Sequence, residues 1–290
     1  MEYILHILIM LNIYSILVLS TNLPAGMASL LTMCQAAFYG IGAYISAYFL
    51  MQFHLPFLVV ALAVMGLTGL FSLIVSWASI KLKGDYFILA TLGFQMIVYT
   101  ILYNWTDVTR GPYGIPGIPG VSLFGRWELS ETWTYALLTT LLTTLVIFLF
   151  KRIKTSPYGR VLKAIRSDEL SVAALGRNPA TFKSWAFFLS AAFSALAGLL
   201  YASYISYIDP TSFTLDESIF IISALFIGGV GNVKGPILGA VFVVLLPEVL
   251  RFVGMPDAIA ANMRQIIYGL SLILVMYFRP QGLLGETSIK

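Results

Sequence analysis

Apolar runs of bilayer-crossing length follow one another along almost the whole chain, and few folds can accept that. A helix that crosses a membrane needs about 20 mostly apolar residues. Stretches that reach or approach this length occur at 3–20, 34–52, 56–79, 86–103, 132–150, 183–207, 218–230, 236–252 and 260–278. The seventh, at 13 residues, is short for a full crossing, so the count is eight or nine. With 59% of residues apolar or aromatic and only 10% charged, a water-soluble fold would leave broad apolar patches uncovered. The expected fold class is therefore an all-α polytopic integral membrane protein of about 8–9 transmembrane helices. Residues 1–290 read as a single transmembrane domain. A soluble enzyme, a nucleic-acid binder and a disordered scaffold are excluded as the whole account.

Orientation follows from the basic residues, which collect in short cytoplasmic loops. Eight of the 17 lie in 151–183: Lys151, Arg152, Lys154, Arg160, Lys163, Arg166, Arg177 and Lys183. Placing that segment in the cytoplasm and alternating outward adds Lys81, Lys83, Lys234, Arg279 and Lys290 to the inside. Only Arg110, Arg126, Arg251 and Arg264 remain outside, a 13:4 split that favours nine crossings with the N-terminus outside and the C-terminus inside. The start MEYILHILIM has Glu2 where a signal peptide carries Lys or Arg, and reads as a retained first helix. The same alternation assigns 21–33 to the cytoplasm, although that segment carries no charge.

The exterior loop, about 104–131, has glycine at 111, 114, 117 and 120 and proline at 112, 116 and 119. Four triplets are too few for a collagen helix, so a string of turns or extended backbone is expected. Trp105, Trp127 and Trp133 flank it, as rings do at headgroup level.

The spans are nearly bare of ionisable groups, which ion-coupled carriers ordinarily place inside the bilayer. Asp85 reads as a cytoplasmic helix start, Glu248 as an outer end and His54 as an outer turn. No phosphate loop is present; GGVGNVKGP at 228–236 has the wrong spacing. With His6 and His54 the only histidines, and no HExxH or GxSxG motif, neither a catalytic nor a metal site is expected. Cys34, the lone cysteine, reads as a small buried hydrophobe. The net charge of +4 is too small to imply nucleic acid.

Small residues instead recur at helical spacing. Ser190, Ser194, Gly198, Ala202 and Ser206 form one stripe; Ala36 with Gly40, Gly42 with Ser46, and Ala43 with Ala47 form others. Gly228, Gly229 and Gly231 precede a further pair, Gly235 and Gly239. Such stripes let helix backbones approach closely in lipid, or they line a narrow solute path. Thr139, Thr140, Thr143 and Thr144 form a hydroxyl patch expected to bond back to helix carbonyls.

The segment TSPYGRVLKAIRSDELSVAALGRNPATF at 155–182 is the most informative loop. Residues 160–175 carry one helical period: Val161, Leu162, Ile165, Val172 and Leu175 are apolar, while Arg160, Lys163, Arg166, Asp168 and Glu169 are charged. Gly176 follows as a C-cap, with Pro179 beyond it. The amphipathic helix so predicted could lie in the membrane surface, act as a solvated connector, or dock on a soluble partner; the missing energy source favours docking.

The run GRVLKAIRSDELSVAALGRNPATFKSWAFFLSAAFSALAGLLYA resembles the loop and following helix of LivM-type permeases of branched-chain amino-acid ABC importers. Four further stretches agree: QAAFYGIGAY at 35–44, KGDYFILATLGF with NWTDVTRGPYGI at 83–94 and 104–115, IGGVGNVKGPILGA at 227–240, and YFRPQGLLG at 277–285. Met33-Cys34-Gln35 departs from the family pattern, which has small or polar residues and a histidine there. The resemblance implies a permease in a bacterial or archaeal cytoplasmic membrane, paired with a LivH-like permease. It also implies two ABC ATPase subunits on the cytoplasmic face and an extracytoplasmic substrate-binding protein. ATP would be used by those partners, with no cofactor held by this chain. Arg160–Gly176 would be the coupling helix, with Arg160, Lys163, Arg166, Asp168, Glu169 and Gly176 as its ATPase-coupling residues. Gly40, Gly42, Ser190, Ser194, Gly198, Gly228, Gly229 and Gly231 would serve the translocation path or close helix packing. Related permeases serve urea and short amides, and a passive channel or an ion-coupled carrier are the rival readings of the residues alone.

Overall fold

A computed structural model describes residues 2–285 apart from 54, 83, 124–126, 129–130, 253–256 and 280. His54, Lys83, Arg126 and Lys290, used above to place loops, lie outside the described residues. Each apolar run coincides with a helix: α1 (Glu2–Asn22), α2 (Gln35–Phe53), α3 (Phe57–Ser79), α4 (Asp85–Asn104), α6 (Thr132–Thr155), α9 (Pro179–Ile205), α10 (Leu215–Gly228), α11 (Lys234–Phe252) and α12 (Asp257–Phe278). Three shorter helices complete the set: α5 (Thr106–Thr109), α7 (Pro157–Ser167) and α8 (Glu169–Ala174). Among the described residues five helices are long and apolar enough to cross a membrane: α1 with the π-turn that continues it, α3, α4, α6 and α9.

Helix α9 forms the axis of the bundle, with α1, α2 and α3 packed around it. Its middle is built from Ala191, Ala192, Ser194, Ala195, Ala197 and Gly198, all buried, and this small-residue surface is what lets three neighbours approach at once. Helix α1 also packs on α6 and α11, and α10 on α11 and α12. Large apolar side chains point outward from α3 and α6, among them Leu58, Leu62, Ile74, Leu137, Leu141 and Phe148, as lipid contact requires. Asn12 ties α1 to α6 through the Thr139 and Thr140 hydroxyls, at 3.3 and 2.9 Å. Those hydroxyls and Thr144 bond back to carbonyls of α6 as expected, whereas Thr143 donates across to the Asn12 carbonyl. Cys34 is fully buried.

The uncharged segment after α1 is no surface loop. Leu23–Met27 forms a buried π-turn, and the chain then runs largely buried to the start of α2. The Leu30 N–H reaches the Pro24 carbonyl at 3.0 Å, and the Met33 N–H donates to Thr91 Oγ1 at 3.0 Å. Irregular backbone at membrane depth is tolerated where protein surrounds it and satisfies its polar groups. Burial explains the missing charge.

A second irregular segment leads into α10. After α9, Tyr207–Ile208 pairs antiparallel with Ile115–Pro116, so the loop between α4 and α6 is the mix of turns and extended backbone its glycines predict. Gly114 and Gly117 there have φ of 66° and 75°. The chain then turns inward through a 3-10 helix, Pro210–Phe213. The Phe213 carbonyl accepts a 2.8 Å bond from Gln95, which lies midway along α4. Its ring meets Tyr39 edge-on at 5.0 Å. Helix α10 therefore starts deep in the bundle, which accounts for its 14 residues.

Candidate functional site

The small-residue stripes converge where α2 begins. Gln35 Nε2 donates to Ser20 Oγ at 2.7 Å and Ser190 Oγ at 3.2 Å, and also bonds Ser194 Oγ. Ser20 and Ser194 share a 2.8 Å bond, and Ser190 Oγ donates to the Ser20 carbonyl at 2.8 Å. A helix start leaves backbone N–H groups without partners, and here neighbouring side chains supply two. The Ala36 N–H donates to Ser218 Oγ at 2.9 Å, and the Ala37 N–H to Gln95 Oε1 at 2.7 Å. Two helix turns on, a Cβ at Gly42 would sit 2.7 Å from the Ala195 carbonyl oxygen, and one at Gly198 would sit 2.7 Å from the Ala43 nitrogen. A Cβ at Gly40 would meet the Phe213 ring at 2.9 Å. Gly40, Gly42, Ser190, Ser194 and Gly198 thus belong to one closely packed, hydrogen-bonded centre.

Gly228, Gly229 and Gly231 lie elsewhere, at the C-terminal end of α10. A Cβ at Gly228 would be 2.7 Å from the Gly239 nitrogen, and the Gly231 N–H donates to Asn22 Oδ1 at 2.9 Å. The Leu283 and Leu284 N–H groups bond the Ile227 and Gly228 carbonyls at 3.0 Å each. The IGGVG and GLLG stretches therefore close on one another.

The connecting segment between α6 and α9 differs from the single helix predicted over 160–175. It is two helices, α7 and α8, broken at Asp168. Ser156 caps α7, with its Oγ accepting the Gly159 N–H at 3.2 Å and Pro157 at the first helical position. Asp168, with φ −157° and ψ 107°, leaves the helical region and caps α8, accepting the Leu170 N–H at 2.9 Å and the Ser171 hydroxyl. These bonds, the Ser171 hydroxyl first among them, hold its carboxyl below the usual carboxylate range. A strong capping residue at this point prevails over the apolar period that runs through it. Gly176, at φ 78°, ends α8 as expected: its N–H reaches the Ala173 carbonyl at 3.0 Å, and the Arg177 N–H that of Val172 at 3.3 Å.

Leu162, Ile165 and Val172 are buried against the bundle. Arg166 turns inward as well: its Nη1 donates to the Gly26 carbonyl of the buried π-turn at 2.5 Å, and partial burial lowers its pKa. Glu169 pairs with Lys183 of α9 at 2.7 Å. Arg166, Asp168 and Glu169 are thus tied within the chain, while Arg160, Lys163 and Gly176 are exposed. The outward apolar residues are Leu170, 75% exposed, and Leu175, 82% exposed. The continuous period hid this, since it places Leu175 with the buried edge and leaves Leu170 off it; only the break at Asp168 turns α8 outward.

Glu217 was also missed. It lies in the first turn of the recessed α10 and accepts a 2.8 Å bond from the Tyr14 hydroxyl. The spans are therefore less bare than the sequence suggests. Among the described residues no three of His, Cys, Asp and Glu gather as a metal site.

The sequence profile described as branched-chain amino acid transport system / permease component matches residues 3–276. The chain belongs to this permease family. Its relatives include the high-affinity branched-chain amino acid transport system permease protein LivM of Salmonella typhimurium, 34% identical over 96% of this chain and 69% of the relative. LivM of Escherichia coli is 35% identical over 95% of this chain and 68% of its own length. A probable LivM of Methanocaldococcus jannaschii is 30% identical over 73% of this chain and 63% of its own length. No solved structure matches.

Proposed function

We propose that this chain is the membrane-spanning permease subunit of an ATP-driven importer for branched-chain amino acids. It forms one transport domain and half of the translocation pathway, beside a LivH-like permease. Two ABC ATPase subunits dock on its cytoplasmic face, an extracytoplasmic binding protein delivers solute, and ATP is used by those partners alone. The chain lies in the cytoplasmic membrane with eight or nine crossings, N-terminus outside and C-terminus inside, and α7–α8 act as the coupling element. It catalyses no reaction of its own.

The observation that carries this reading is the form of α7–α8. A helix pair on the basic side of the protein is fixed to the bundle on one face and presents Leu170 and Leu175 on the other. Helix-in-groove docking uses such an apolar anchor with a charged rim, here Arg160 and Lys163. Closure of the ATPases would pull on α7, and Arg166 hands that displacement to the π-turn and the Gln35 centre. A ligand-driven switch of this kind needs contacts that differ between its two states, and the bonds across these packed helices supply them. The closed packing of Gly42 and Gly198 leaves no room for a solute between those helices, which supports a path along a face of this chain shared with the second permease.

The test is copurification from the native membrane in gentle detergent, followed by uptake in proteoliposomes. Recovery of an ABC ATPase and a second permease, with ATP-dependent leucine uptake, supports the reading. Recovery of the chain alone, with leucine flux that needs no ATP, overturns it.

A further inference from the structure

A cavity of about 310 Å³ lies between α1, α10, α11 and α12, away from the packed centre and from α7–α8. It follows α1 from His6 to Tyr14, roughly 12 Å at 1.5 Å per residue. Its polar lining is His6, Tyr14, Glu217, Glu248 and Gln265; Ile7, Met10, Val243 and Val244 are among its apolar walls. Pro247 opens α11 beside it, since proline denies the Val243 carbonyl its helical donor, and the Tyr268 hydroxyl fills that place at 2.8 Å.

The two carboxylates are stationed differently. Glu248 takes a hydrogen bond from Tyr3 at one end, near the start of α1. Glu217 sits at the deep end, with Tyr14 as its hydrogen-bond donor and no cation paired with it among the described residues. A carboxylate withdrawn from water and left without a countercharge is costly, so such groups are paired, take up a proton or bind a cation.

We propose that this cavity binds the ammonium group of a short aliphatic amino acid, with Glu217 as its countercharge. Three or more metal-ligating side chains do not converge there among the described residues, which disfavours a hard inorganic cation. The apolar walls suit an aliphatic body, and the volume lies in the roughly 300–1,000 Å³ range of small-ligand sites. The ammonium donates to Glu217, and the side chain lies along Met10, Ile7 and Val244 toward His6, one of whose ring nitrogens is engaged by Tyr204 at 2.8 Å. The site gives the permease its own check for an amine. The choice of leucine as probe rests on the transport reading above.

The test uses the full chain in lipid nanodiscs with radiolabelled L-leucine, competed by 3-methylbutylamine, which keeps the amine, and by 4-methylpentanoate, which keeps the acid. Leucine should bind at millimolar concentration, the amine should compete, and the acid should not. Glu217→Gln keeps an acceptor for Tyr14 but removes the charge, and should weaken leucine binding by about tenfold or more. Equal competition by the acid, unchanged binding in Glu217→Gln, or no leucine binding to the native chain would each overturn the site. ATP-dependent uptake by the complete transporter is measured alongside. If uptake persists while the nanodisc result is negative, the cavity assignment fails and the transport reading stands; if native uptake is absent, the transport reading fails.

Discussion

Replacing Leu170 and Leu175 together by alanine should separate docking from folding. Both side chains project from α8 with 75% and 82% of their surface exposed, so their truncation leaves no cavity in the chain. Burying a leucine fully against a partner is worth about 1.5–3 kcal/mol. Taking about three quarters of the middle of that range gives roughly 1.5 kcal/mol per residue, some 3 kcal/mol for the pair. At 1.4 kcal/mol per decade this is a loss of about a hundredfold in affinity for the ATPase. The assay is equilibrium binding of the purified ATPase to the permease in nanodiscs, with and without the double substitution. Leu162→Ala is the companion variant, because Leu162 is buried beneath α7 and its loss should cost stability of about 2–5 kcal/mol in the permease itself. Binding of the double variant within about threefold of the native value, a difference under about 0.7 kcal/mol, would refute the docking face argued for α8.

Other expectations concern the ties within the chain. Arg166→Ala removes a hydrogen bond from a charged donor, worth about 1.5 kcal/mol for a partly exposed group, and should leave ATPase binding intact while uptake per ATP hydrolysed falls. Gly198→Leu drives side-chain atoms into the Tyr39 and Ala43 backbone, so thermal aggregation in mild detergent should show a loss of at least about 1–3 kcal/mol. Gly93→Ala, with nothing within 4 Å, should cause no loss. Asp168 has a carboxyl held below its ordinary value, so its stabilisation of α8 is complete above the unfolded value near pH 4 and is lost as pH falls through the lower folded value. Amide exchange at Leu170 should therefore keep its protection from neutral pH down to about pH 5 and lose it only below about pH 4.

The helices were legible because lipid enforces them: a run such as 86–103 has no other satisfied conformation at membrane depth, and α4 covers Asp85–Asn104. What escaped was wherever a local bond prevails over a periodic or topological rule. The break at Asp168 comes from a cap that only a five-residue window would reveal, while the apolar period runs on through it. The buried form of 21–33 escaped because charge counting treats everything between two spans as loop, although its lack of charge was the trace of its burial. Glu217 looked like an ordinary acidic first turn, and only the inward course of Pro210–Phe213 puts it deep in the bundle. In the candidate sites the glycines and serines were legible as a set. Their division into a packed centre and a separate cluster near Leu283 was not, because spacing along one helix says nothing about which neighbour it meets.

The bonds from Leu283 and Leu284 to the carbonyls of Ile227 and Gly228 bear on how the protein is made. Helix α10 is too short for lipid alone to hold, and its open end is finished by residues that emerge only after α11 and α12. During synthesis it would wait half-seated at the translocon, so the final quarter of the chain enters the membrane as one unit. A ribosome that stalls before residue 283 leaves bare carbonyls in the bundle, a mark by which membrane proteases could tell an unfinished permease from a finished one.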